Sequence, residues 1–252
     1  MTRPYAHRPD AEWAADSYTH KCKMIEKAGQ TLERLQDRAS TITVSVAVDA
    51  AWESTALGWY LEVPLDQLRT HVVRGAGFVR RGLGLPGTHA LASSSIERWS
   101  AFSLLAGDTE SAAEVARRLP ASPPDAQPGN EYTELLVALC TGDDVAASRL
   151  AAALRTTLDD PGTPPVTAGA FAHLDEIGTA VAVRDQEAFT SALRSRDAAV
   201  ARSYSRSIER RRAWFALLDD RAVALASLGE VRGLEIPDGI ATVPRELLVA
   251  VR

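Results

Sequence analysis

Few residues in this chain could do chemistry, and their spacing limits what each could do. His173 stands just ahead of Asp175 and Glu176 in FAHLDEIG, where an imidazole beside carboxylates can serve as a general acid or base. Tyr204 and Trp214 would join such a centre only if the fold brought them to the same cavity. The plainer expectation for His173 is a polar residue at a helix start. The pairs Asp159–Asp160 and Asp219–Asp220 carry charge enough to hold a metal-bound diphosphate, but neither has a further carboxylate one helical turn away. Cys140 follows Leu139 on an apolar run, the setting of an inert thiol rather than of a nucleophile, which needs an accessible, electropositive place. His7, His20, His71, His89 and His173 never fall four apart, so neither a metal nor a cofactor is expected. GxxxxGK[ST], HExxH, GxSxG and CxxC are all missing, and GAGFVRRGLGLPG follows no strand, as a dinucleotide loop would.

Charge is distributed more tellingly than any motif. Between residues 184 and 212 eight arginines face four acidic residues, and Arg202, Arg206 and Arg210 recur four apart on one helical face. Between residues 108 and 160 ten acidic residues, among them Asp143, Asp144, Asp159 and Asp160, face four arginines. Segregated fields of this kind steer and orient a charged protein partner; the alternative is that the two segments neutralise each other inside the fold or are plain solvated faces. The net charge of −5 argues against nucleic acid as the partner, since phosphate contacts call for a basic excess. No run approaches the ~20 apolar residues that cross a bilayer, and MTRPYAHRPD lacks the layout of a secretory signal, so a soluble, cytoplasmic protein is expected. Two cysteines, Cys22 and Cys140, imply no disulfide framework.

The elements that must position these residues read as helices. Alanine supplies much of the 46% hydrophobic content and aromatics only 6%, which suits closely approaching helices. Apolar spacing predicts a helix over 12–35, another from Pro64 to the glycines at 82, 84 and 87, and a third capped by Ser93 to Ser95 with Ile96, Trp99, Phe102 and Leu105 on one face. TITVSVAVDAAW alternates like a strand, yet no second strand exists to pair with it, so helix is the expectation there too. Residues 120–130 and 158–169, rich in proline and glycine, predict two surface loops, and 210–233 predicts a last apolar helix.

One layout recurs three times. WSAFSLLAGDTESAAEVARRL, ELLVALCTGDDVAASRLAAAL and EIGTAVAVRDQEAFTSALRSR each give an apolar helix, a tight break, an aspartate and an alanine-rich helix. Asp108, Asp143 and Asp185 sit where a carboxylate can accept from the orphan N–H groups of the second helix. The fold class expected is all-α: stacked antiparallel helical hairpins in a tetratricopeptide-like layout without its regular signature. One domain over 1–252 is expected, with N-terminal helices over 1–90 and the hairpin stack over 91–252.

Taken in order, several of these blocks resemble the immunity protein 49 family of bacterial polymorphic toxin systems. ERWSAFSLLAGDTESAAEVARRL is similar to that family's aromatic-anchored helix, charged break and second helix; AVAVRDQEAFTSALRSRDAAVARSYS to its RD-E-F-AL helix; ALLDDRAVALASLGEVRGLEIPDGIATVPRELL to its closing block with terminal RG and P-x-x-LL. The blocks cover about the last 155 residues, and the ending departs from the family in reading ATVP for a YLP-like triplet. The resemblance implies a non-enzymatic protein that binds and neutralises a cognate toxin. Asp143, Asp144, Asp159 and Asp160 would meet a cationic toxin groove, and Arg202, Arg206 and Arg210 would form a second charged face. The alternatives left open are a helical enzyme acting on a small molecule through His173, Asp175, Glu176, Tyr204 and Trp214, and a peptide-binding adaptor. A homodimer is also left open.

Overall fold

In the computed structural model, residues 10–85, 93–118, 128–206 and 217–248 are described. All regular structure among them is helical. Three long helices open the chain: α1 (Ala11–Leu35), α2 (Thr41–Tyr60) and α3 (Leu65–Leu83), each packed on the next. Hairpins follow: α4 (Ser93–Leu105) with α5 (Thr109–Arg117), and α6 (Pro128–Thr141) with α7 (Asp144–Asp159). After the short α8 (Pro165–Phe171), α9 (Leu174–Val183) pairs with α10 (Gln186–Arg206) and packs on α7. Finally α11 (Asp220–Val231) returns to lie between α4 and α9.

The three repeated breaks are one piece of geometry. At the first, Gly107 turns left-handed (φ 74°), its N–H reaches the Leu104 carbonyl and the Asp108 N–H reaches the Ser103 carbonyl, satisfying the ends of α4. Asp108 then accepts from the Ser111 N–H at 3.0 Å and so starts α5. Gly142 and Asp143 repeat this between α6 and α7, where Asp143 accepts from the Ala146 N–H at 2.9 Å. Between α9 and α10 the left-handed residue is Arg184 (φ 59°), and Asp185 accepts from the Ala188 N–H at 3.0 Å. A fourth aspartate, Asp219, caps α11 through the Ala222 N–H at 3.3 Å.

The strand-like alternation of TITVSVAV has a helical explanation. Ile42 and Val46, four apart, face outward, whereas Val44, Ala47, Val48, Ala51 and Trp52 face the core, so two helical faces interleave to mimic a period of two. Ser40 caps this helix by accepting from the Thr43 N–H. One hydrophobic cluster draws on every helix from α1 to α11. Residues 222–229 of α11 are all buried, and Gly229 lets the Phe189 ring approach so closely that a methyl there would lie 2.7 Å from it.

Four expected boundaries are corrected. The loop expected over 158–169 is shorter, because α7 continues to Asp159 and α8 starts at Pro165. The loop expected over 120–130 ends by 127, since Pro128 opens α6, and its residues 120–127 lie outside the described part. Proline stops a helix it enters but suits the first helical position, where its missing N–H would have had no partner. The last apolar helix starts at Asp220, after a turn that buries Leu217 and Leu218; residues 210–216 lie outside the described part. The serines expected to precede α4 stand in its first turn.

Beyond α11 the chain straps the stack together. The Gln186 side chain clamps Glu235 through both its carbonyl and its N–H, and Asp197 accepts from the Thr242 N–H and hydroxyl. Trp59 Nε1 donates to the Ala241 carbonyl and Arg69 to that of Glu246, before a 3₁₀ turn, Arg245–Leu247, buries Leu247.

Candidate functional site

Three of the residues singled out for acid–base chemistry meet at the start of α9. His173 sits before that helix in a left-handed conformation, and its Nδ1 lies 3.1 Å from Glu176 Oε2. Asp175 is buried, with its Oδ2 accepting from Arg155 Nε of α7 at 2.7 Å, while Arg155 Nη2 stands 3.5 Å from Glu176 Oε1. Both carboxylates are therefore committed to holding α9 against α7. Tyr204 belongs to the backbone of α10 with its side chain outside the described part, and Trp214 lies outside it altogether.

Beside this cluster α7, α9 and α10 enclose an open groove of about 500 Å³. Its lining is mostly small: Ala151, Ala152, Thr179, Ala180, Ala188 and Ala192. Arg155, Glu176 and Asp185 also line it, together with Val183, which is 60% exposed. Arg155 is shared by Asp175 and Glu176, and Asp185 spends one oxygen on the cap of α10. A second groove, about 380 Å³, lies between α5, α6 and α7 and includes Arg117, Glu134 and Asp143; a third, about 460 Å³, lies where α10 meets the strap. Among the described acid–base residues, His173, Asp175 and Glu176, only Glu176 lines any of these grooves.

The acidic residues expected to meet a partner do not form one patch. Asp143 and Asp144 stand at the start of α7 and Asp159 and Asp160 at its end; a helix of 16 residues is roughly 24 Å long. Asp143 is exposed and spends one oxygen on its cap. Asp144 is paired with Arg232, whose other nitrogen donates to the Leu139 carbonyl at 2.8 Å. Asp160 accepts from the Gly162 N–H in the turn that follows. Among the arginines, Arg202 is exposed on α10, Arg206 is placed there by its backbone alone, and Arg210 lies outside the described residues.

Two clusters were hidden from sequence reasoning because their members come from distant segments. In the first, Arg196 and Asp219, each about 4% exposed, pair at 2.6 Å, and Arg196 also donates to the carbonyls of Ala170 and Ala172. Next to them Arg221 pairs with buried Glu97 at 3.0 Å and stacks over Phe171, while Arg98 is shared by Asp49 and Asp220. Buried Tyr132 donates to the Arg221 carbonyl. The one visible hint was ERW at residues 97–99, a charged pair inside an apolar helix.

The second cluster joins α1 and α3: Tyr18 Oη lies 3.2 Å and Cys22 Sγ 3.7 Å from His71 Nε2, and Gln67 donates to Tyr18. Burial raises the thiol and phenol of Cys22 and Tyr18 and lowers the His71 imidazole. These shifts oppose a thiolate–imidazolium pair, so the arrangement suits packing rather than nucleophilic attack. Burial likewise pushes the Cys140 thiol up to about 12. Among the described residues no group of three or more His, Cys, Asp or Glu side chains could hold a metal ion, and no helix is long and apolar enough to cross a membrane.

Compared with protein-family models, with curated proteins and with solved structures, the chain matches none.

Proposed function

We propose that this chain is a cytoplasmic immunity protein, allied to the immunity protein 49 family, that binds a cognate bacterial toxin and blocks its activity. The observation that carries this reading is the groove of about 500 Å³ on α7, α9 and α10, open to solvent and built on packed helices. A binding surface on packed helices loses little conformational freedom when a partner arrives. Small side chains in the groove admit close approach of another protein's backbone, and Val183 offers apolar area at its edge. The resemblance adds to this, because the family-like blocks coincide with α4–α5, with α9–α10, and with α11 and its strap.

The enzyme reading asks for two or more acid–base residues facing an enclosed cavity. Asp175 is instead buried against Arg155, and Glu176 faces an open groove. The binding role is tested by co-expressing the chain with the product of the gene next to its own, which this reading expects to be a toxin domain. Growth is restored if the reading holds, and a complex survives gel filtration. Unrelieved toxicity with no complex would overturn it.

A further inference from the structure

Two of the grooves are one feature made twice. Each of the nine residues lining the groove of about 380 Å³ has a counterpart lining that of about 500 Å³. Glu134, Ala138 and Asp143 correspond to Glu176, Ala180 and Asp185, 42 residues on, and Ala116 of α5 corresponds to Ala151 of α7, 35 residues on. The capping aspartates Asp108, Asp143 and Asp185 have the same spacings, so the groove is a product of the repeated hairpin itself. Helix α7 serves both copies. Ala146 and Leu150 line the smaller groove and Ser148, Ala152 and Arg155 the larger, and at 3.6 residues per turn these sets fall on opposite sides of the helix. It is therefore a ridge between two furrows, with Val145, 84% exposed, on its crest.

What the copies keep shows which charges belong to the furrow. Both keep a glutamate on the floor and an aspartate at the break, Glu134 with Asp143 and Glu176 with Asp185. They do not keep their arginines: Arg117 corresponds to Ala152, and Arg155 has no counterpart among the residues lining the smaller furrow. The helices that wall the furrows, over residues 109–118, 128–160 and 174–194, carry twelve carboxylates against six arginines, and Arg232 of α11 adds a seventh through Asp144. Further along α10, Arg196 is buried on Asp219, and Arg202 lies roughly 15 Å past Ala192. A partner that fits both furrows is one that brings positive charge to each.

We propose that the two furrows together take two adjacent helices of the cognate toxin, packed as a hairpin and presenting lysine or arginine to Glu134 and Glu176; this rests on the binding role proposed above. One helix, about 10 Å across with its side chains, separates the furrows. The axes of two packed helices lie about 8–10 Å apart, so a helical hairpin seats in both furrows at once while α7 enters the groove between its helices. The small side chains Ala146, Ala152 and Ala188 let those helices approach closely. A single helix would fill one furrow and leave its copy empty.

The product of the neighbouring gene is the probe, titrated into wild type, Thr141→Arg, Thr179→Arg and the double variant. Both threonines are exposed, one in each furrow, so equal melting temperatures are expected throughout. Each single variant should bind roughly tenfold more weakly and the double variant roughly a hundredfold, because each arginine sets bulk and like charge against the hairpin. Thr141→Val and Thr179→Val should bind as wild type does. Glu134→Gln combined with Glu176→Gln should flatten the fall of the association rate with salt. Hydrogen exchange on the complex should show two consecutive helices of the partner gaining protection. Loss of binding from one furrow alone, an unchanged salt dependence, or protection of a strand or loop in the partner refutes the two-helix occupant and leaves the binding role standing. A product that does not bind wild type at all refutes the binding role, and this proposal with it.

Discussion

Asp143 and Asp219 make the same local bond in different surroundings. Each accepts from the N–H three residues on, Ala146 or Ala222, and so starts a helix. Asp143 does this exposed at a hairpin turn, whereas Asp219 does it buried, with Arg196 2.6 Å away. The cap follows from chain geometry and is the same at both sites. What each carboxylate costs and holds depends on what the rest of the fold brings to it.

That difference can be broken experimentally, most severely at Arg196. Arg196→Ala leaves Asp219 charged and buried and strips donors from the α8 carbonyls, so chemical denaturation should show a loss of about 3–5 kcal/mol. Exposed Arg194, two residues earlier on α10, should change by less than about 0.5 kcal/mol when replaced by alanine. Asp219→Ala comes next, at about 3 kcal/mol, since it removes a cap and unpairs Arg196 together. The double variant should lose less than the sum of the two, and strict additivity would mean the pair is not coupled. Asp143→Ala removes only a cap, at about 1 kcal/mol. A loss equal to that of Asp219→Ala would erase the distinction.

The smallest effect lies within the repeated breaks. Gly107 and Gly142 hold the left-handed position at two of them, but Arg184 holds it at the third with φ 59°. Arg184→Gly should raise stability by about 0.5 kcal/mol, the relief of that conformation less the extra freedom glycine gains when unfolded. A loss of stability would show that the Arg184 side chain contributes more than its backbone costs.

The same comparison explains what could be read in advance. Asp108, Asp143 and Asp185 were legible because a cap, its break and its helix lie within a few residues of one another. Asp219 carried the same signal, but it was weighed as half of a metal-binding pair, and the helix expected around it hid its role as a start. Helix α2 was legible by elimination, although Ile42 and Val46 blurred its period. Arg196 could not be read: its charge placed it among surface arginines, and only its meeting with Asp219, 23 residues on, buries it. The candidate site shows the same split. His173, Asp175 and Glu176 were found because they are neighbours in sequence, but Arg155, 20 residues before Asp175, turns that carboxylate from a reactive group into a tie between helices. The groove on α7, α9 and α10 has no motif at all, because small residues are informative only once three helices bring them together.

Calorimetric titration of the toxin domain expected from the neighbouring gene into wild type, Ala152→Trp and Ala188→Arg tests the account most directly. Both alanines are exposed and line the groove, so larger side chains fill it without disturbing the core. The account predicts binding by the wild type and at least roughly tenfold weaker binding by both variants at unchanged melting temperature, a loss of about 1.4 kcal/mol or more. Binding equal to wild type by both variants would contradict it.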